Sequence, residues 1–274
     1  MEALPVIREA LAKQIRQSEI DFTTSRIRSI GEQEGNPQGV EIQTFGNAVS
    51  YYIRTMPWGV FNSVKGLSDE DMDRVAEIIQ FYRERDRAFE LDIDPVGTSP
   101  ELLRHLTENG LAHRRFHSVL YGLPAPEAPG LPSGISIRPV ENEADFDVYA
   151  GIHCIGSGMD IRHKHHFIQN NIGLLNRPGW NLFMASWHGR PAAVGVMHIS
   201  GRTASLTLAA THPEFRNKGL QTSLLKWRLH EAYKAECELV AAQAAFGSTS
   251  QNNMERAGLR VAWTRAVWAP IAER

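Results

Sequence analysis

The stretch that most constrains the fold is Ser205–Trp227, SLTLAATHPEFRNKGLQTSLLKW. Leu206, Leu208 and Ala210 alternate with Ser205, Thr207 and Ala209, the period-two pattern of a half-buried strand. Pro213 ends it, because proline has no N–H to give a ladder. After Gly219, the positions Leu220, Leu224, Leu225, Trp227, Leu229 and Ala232 form a broad apolar stripe at helical spacing. A strand, a short basic turn and a helix opening on glycine are therefore expected. The first turn of a helix leaves backbone N–H groups unpartnered and carries positive potential, and glycine lets a ligand approach closely. With Arg216 and Lys218 beside it, the turn is a candidate phosphate site. The plain alternative is a strand-to-helix turn with two solvated basic residues.

THPEFRNKGLQTSLL resembles motif A of the GNAT superfamily of N-acyltransferases: Arg or Gln, two residues, Gly, one residue, then Gly or Ala. A second block, Gly247–Trp268 (GSTSQNNMERAGLRVAWTRAVW), resembles the family's motif B, a short helix ending in Gly plus an apolar residue, then a final strand. CELVAAQA supplies the strand between them, so order and spacing fit as well. The resemblance covers about the last half of the chain. It implies that the loop and helix start bind the pyrophosphate of acetyl-CoA, and that the preceding strand splays from its neighbour to pair with the pantetheine arm. The implied cofactor-binding residues are Ala209, Ala210, Thr211, Arg216, Asn217, Lys218, Gly219, Leu220, Gln221, Thr222 and Ser248. Ser248 with Gln251 also fits a capping box for the second motif's helix.

Two departures bear on catalysis. Gln221 stands where the family has Gly or Ala. Met254 stands four residues before Gly258, where many members carry a tyrosine that protonates the leaving thiolate, and methionine has no proton to give. The strand also lacks the glutamate that some members use as general base, offering Ser205 and Thr207 instead. His198 is the one weak catalytic candidate, its ordinary pKa suiting a base, with a buried satisfied histidine as the alternative. His163, His165 and His166 cluster in RHKHH, but flanking Arg162 and Lys164 oppose a cation, and no metal is expected. A place beside the acceptor pocket, together with His153 and Asp160, is what the resemblance implies for them.

The remaining chain bounds the class. At 274 residues it is long for one such domain and suits two. Thirteen residues from Gly122 to Gly134 carry spaced prolines, giving expected divisions of 1–122, a linker at 123–133, and a catalytic domain at 134–274. In the first half, a helix over Leu4–Ile20, strands around Gly46-Asn47, a helix opened by Ser68 and its following acids, the strand FELDID and a helix over Pro100–Glu108 are expected. Its end, TSPELLRHLTENGLAHRRFHSVLYG, parallels the second block, so a degenerate GNAT-like domain is expected there. Carboxylates at Asp69, Glu70 and Asp71 should repel pyrophosphate from its helix start. The expected fold class is α/β (α+β): two GNAT-like domains, each a mixed, mostly antiparallel sheet flanked by helices.

A net charge of −2 argues against a generally basic, nucleic-acid-binding surface. No apolar run reaches membrane-spanning length and no secretory leader opens the sequence, so no membrane partner and a cytoplasmic setting are expected. Cys154 and Cys237 alone do not make a disulfide framework. The expected function is acetyl-CoA- or acyl-CoA-dependent transfer to an amine on a small-molecule or peptide acceptor, and a homodimer is compatible with the sequence. The alternatives are a non-catalytic acyl-CoA-binding or interaction module, and a phosphate-binding α/β protein for another nucleotide. The last lacks the Gly-Lys-Ser/Thr of a P-loop.

Overall fold

The computed structural model describes residues 4–271. In chain order the elements are α1 (Glu9–Gly31), β1 (Val40–Phe45), β2 (Ala48–Ile53), β3 (Ser63–Lys65), α2 (Val75–Arg83), β4 (Glu90–Ile93), α3 (Pro100–Glu108) and β5 (Leu111–Gly122). There follow β6 (Ile135–Pro139), α4 (Glu143–Gly156), α5 (Lys164–Asn171), β7 (Trp180–Trp187), β8 (Arg190–Ser200), β9 (Thr203–Thr211), α6 (Leu220–Lys234), β10 (Leu239–Ala245), α7 (Thr249–Arg256) and β11 (Arg260–Pro270). Over the described residues they group into two compact units: 6–119 with 262–271, and 4–5 with 120–261.

In the first unit β1, β2 and β3 pair antiparallel, and β4 lies parallel to β3 after the α2 crossover. Helix α1 runs well past the expected Leu4–Ile20, because Ile27 and Ile30 resume the buried stripe beyond the polar run at Thr23–Ser25. Thr24 is accommodated there by a 2.7 Å hydrogen bond with the Tyr51 hydroxyl. Ser99 caps α3, accepting from the Leu102 N–H, with Pro100 at its first position. The core holds Val64, Ile78, Tyr82, Leu91, Leu102 and Leu106.

The last strand joins this unit. Ala266–Trp268 of β11 pair antiparallel with Leu91–Ile93 of β4. The sequence expectation kept residues 134–274 together, since an alternating pattern fixes which faces a strand buries and not which sheet receives it. Partners for β11 wait in the first unit. Arg265 Nη1 donates to Glu19 Oε1 at 2.6 Å and Asp92 Oδ2 at 2.8 Å, and Lys65 Nζ contacts the same two carboxylates. Trp263 Nε1 donates to Asp94 Oδ1 at 2.7 Å.

The second unit repeats the plan: β6 to β9 are successively antiparallel, and β10 lies parallel to β9 after the α6 crossover. Asn142 caps α4, accepting from the Asp145 N–H. Leu220, Leu224, Leu225 and Leu229 of α6 pack into a core with Phe183, Leu206 and Val240. Each such leucine contributes about 1.5–3 kcal/mol by leaving water. Both cysteines are buried free thiols. Among the described residues, no helix is long and apolar enough to cross a membrane.

Candidate functional site

Strand β9 supplies the centre of the site. Its pairing with β10 runs from Thr203 to Leu206 and stops there. On its other side the register with β8 shifts: Val194 faces Ala210, yet Val196 faces Thr207, so β9 holds one extra residue. That β-bulge falls at Leu208, whose φ of 45° is left-handed, and it turns Ala209 out of the pleat into an exposed position. A strand that diverges from one neighbour and bulges against the other leaves backbone donors and acceptors facing open space. Thr207–Thr211 form that free edge.

The helix after it starts where the sequence places it. Gly219 caps α6 with φ 80°, and Asn217 two residues earlier also has positive φ, at 61°. The sequence therefore aims the amides of Leu220, Gln221 and Thr222 into a cleft of about 750 Å³. A Cβ on Gly219 would find nothing nearer than the Ile135 side chain at 3.9 Å, so the cradle is open and the glycine is required by its backbone angle.

Ala209, Ala210, Thr211, Arg216, Asn217, Gly219, Leu220, Gln221 and Thr222 all line this cleft. Gln221 reaches back to β9, Nε2 donating to Thr211 Oγ1 at 2.8 Å. Arg216 is exposed and donates from Nη2 to the Gly156 carbonyl at the end of α4. Two expected contacts lie elsewhere. Lys218 is turned so that Nζ sits 5.0 Å from the Trp187 ring centroid. Ser248 caps α7, accepting from the Gln251 N–H at 3.2 Å, while Gln251 Oε1 accepts from the Gly247 N–H rather than closing the box on Ser248 itself.

The fold that frames this cleft has counterparts among solved structures. The chain is similar to a GCN5-related N-acetyltransferase from Kribbella flavida, at 13% identity over 96% of each chain and TM-score 0.70. It is similar to a tandem GNAT protein from the clavulanic acid biosynthesis pathway, at 14% identity over 89% of this chain and 87% of that one, TM-score 0.63. A third, a GCN5-related N-acetyltransferase from Sphaerobacter thermophilus, gives 15% identity over 97% and 96%, TM-score 0.59. This chain has the GNAT fold. No protein-family model matches the sequence. No curated protein matches it either.

Within the GNAT fold the cleft has a one-sided chemistry. Among the described residues its lining includes Arg216, Arg228 and Arg256 but no aspartate, glutamate, histidine, tyrosine or cysteine. Met254 lines it, buried, at the place where a proton donor was sought. His198 lies off the cleft, buried under Trp180 with the rings 4.7 Å apart. His153 is buried against Phe167, and Asp160 caps the turn at Arg162. The His165 and His166 rings sit 3.8 Å apart, and no group of three metal-ligating side chains converges among the described residues.

Arg228 is the feature that the sequence reading missed. It is 1% exposed, and burial lowers its pKa to about 10, leaving it cationic at neutral pH. Nε donates to the Leu224 carbonyl at 3.1 Å, and Nη1 to Val196 at 3.0 Å and Thr207 at 3.5 Å, the carbonyls flanking the bulge. Room for the guanidinium comes from Gly195, opposite the bulge, where a Cβ would lie 2.9 Å from Cζ. A signal for it did exist: position 228 falls four residues after Leu224, on the buried stripe of α6, where a charge needs a reason.

In the first unit the corresponding helix start is filled from within. Asp71 Oδ1 accepts from the Asn47 N–H at 2.7 Å, Oδ2 accepts from Ser68, and Asp69 Oδ1 accepts from the Ser99 N–H. Its carboxylates occupy the ground that an incoming phosphate needs.

Proposed function

We propose that the second unit, over about residues 134–261, is an acyl-CoA-dependent N-acyltransferase module that moves an acyl group from acetyl-CoA, or a related thioester, to an amine. The observation that carries this reading is the free edge of β9 from Thr207 to Thr211, whose Ala209–Thr211 line the same cleft as Leu220–Thr222 at the start of α6. The helix start, with the exposed guanidinium of Arg216 beside it and Arg256 also lining the cleft, suits a diphosphate. The β9 edge offers an amide-bearing arm the hydrogen bonds of a missing strand. Amides at Ala209–Thr211, re-aimed by the bulge, polarise a thioester carbonyl.

Attack by a neutral amine forms the amide C–N bond as the C–S bond breaks, with the thiol as leaving group. Because the described lining holds no carboxylate or imidazole, the proton leaves the ammonium through water or through a group that the acceptor brings. The acceptor is a small-molecule or peptide amine, and we place the protein in a reducing, cytoplasmic setting on the strength of its two free thiols.

That same lining favours one second reading, a module that binds acyl-CoA without turning it over. Titration calorimetry with acetyl-CoA, followed by thiol release across a panel of amines, separates the two. Heat with release supports transfer, heat without release supports the module, and no heat removes both. Arg216→Ala is expected to weaken CoA more than acyl-pantetheine, which lacks the diphosphate.

A further inference from the structure

Two arginines are buried among the described residues, Arg228 and Arg265, and the fold treats them differently. Arg265 meets the carboxylates of Glu19 and Asp92. Arg228, equally removed from water, meets carbonyl oxygens through Nε and Nη1 and no carboxylate in those contacts. Carbonyl dipoles satisfy N–H groups but do not cancel a formal charge, and an uncompensated buried ion destabilises a fold. A neutral side chain with an amide would tie the two bulge carbonyls without that cost. The titratable side chain that interacts with the guanidinium is the phenol of Tyr149 rather than a carboxylate.

Position says what the charge is for. Arg228 lies about two turns, roughly 12 Å, along α6 from the amides at its start. It is thus too deep to serve the diphosphate. It is bonded instead to Thr207, the residue next to the bulge, and it lines the cleft there. In the function proposed above, that depth is where the thioester carbonyl is polarised, so the group attached to that carbonyl lies beside the guanidinium.

We propose that Arg228 is a specificity-determining residue for the acyl donor, and that the acyl group transferred ends in a carboxylate, as in a dicarboxylic acid joined to CoA at one end. This rests on the acyl-CoA reading of the cleft. The carboxylate takes no part in bond making. The amine nitrogen bonds the acyl carbon, the C–S bond breaks, the thiol departs with the proton, and the product is an amide bearing a free acid. The ion pair supplies in the bound state a counter-charge that the carbonyl partners of Arg228 do not.

The test uses the full chain and calorimetry with CoA, succinyl-CoA and malonyl-CoA, set against butyryl-CoA and propionyl-CoA, the neutral acyl groups of equal carbon number. At least one carboxylate-ended donor is expected to bind about tenfold to a hundredfold more tightly than its neutral counterpart, the range for a hydrogen bond to a buried charge. Arg228→Met is expected to bring that ratio to within about twofold. Equal binding of charged and neutral donors by the native chain overturns the proposal and leaves the acyl-CoA site standing. So does a preference that survives in Arg228→Met. Failure of CoA itself to bind removes both. Should Arg228→Met not fold, the comparison on the native chain decides alone.

Discussion

Gly219 shows how one residue answers to both stability and binding. Its φ of 80° suits glycine, while the space above it is empty to 3.9 Å. Gly219→Ala is therefore expected to cost about 1 kcal/mol through backbone strain, read from a shifted urea midpoint. Gly219→Trp fills the cradle and is expected to abolish CoA binding by calorimetry at a similar loss of stability. Trp263 illustrates the opposite case, a residue with no ligand to meet. Burial holds the Asp94 carboxyl above the usual carboxylate range, and Trp263 Nε1 is its indole donor. Trp263→Phe strands that carboxyl and is expected to cost about 1–3 kcal/mol, measured by thermal or urea unfolding. At this scale the turn at Asn217–Thr222 was legible because glycine and basic side chains announce an anion-binding helix start. Arg228 was not, because a long cation on an apolar stripe reads equally as one that snorkels to water.

Among elements, β11 is held by charge as much as by its ladder. Burial alone would raise the Asp92 and Glu19 carboxyls, yet the Arg265 and Lys65 cations outweigh it and hold both below their ordinary range. Acids depressed in the folded state contribute stability that is fully present above the unfolded carboxylate pKa of about 4. It is lost as pH falls through the folded value. Asp94, raised, works the other way, and its contribution is lost as pH rises through its folded value. Acid titration followed by circular dichroism is expected to show stability falling below about pH 4, and Arg265→Met is expected to flatten that fall. At neutral pH the same substitution leaves two buried carboxylates with Lys65 alone and is expected to cost about 3–5 kcal/mol. The ladder of β11 was visible in the alternation of RVAWTRAVW, and its destination was not. What decides the sheet is a set of partners at positions 19, 65, 92 and 94, and nothing local to residues 260–270 points to them.

For the molecule as a whole, two units share one plan: antiparallel strands, three in the first unit and four in the second, then a crossover helix and a parallel strand. The recurring helix, Gly-Leu and strand near residues 110 and 258 made that repeat legible. The plan does not carry a site with it. Where the second unit ends its strand on Asn217 and Gly219, the first places Asp69 and Asp71. Calorimetry of the full chain is accordingly expected to give one CoA per molecule. Asp71→Asn is not expected to create a second site, because its oxygen would still cap the Asn47 amide.

The strand assignment also sets a timetable for synthesis on the ribosome. Chains fold as they emerge, N-terminal portions first, but the sheet of Val6–Val119 includes a strand encoded at residues 262–270. Until residues 262–270 have emerged, β4 keeps a bare flank, and Glu19 and Asp92 have the Lys65 ammonium without the Arg265 guanidinium. The sheet begun earlier is therefore completed after the one that follows it, and a nascent chain stalled between β4 and Arg265 presents an open sheet edge to whatever neighbours it meets.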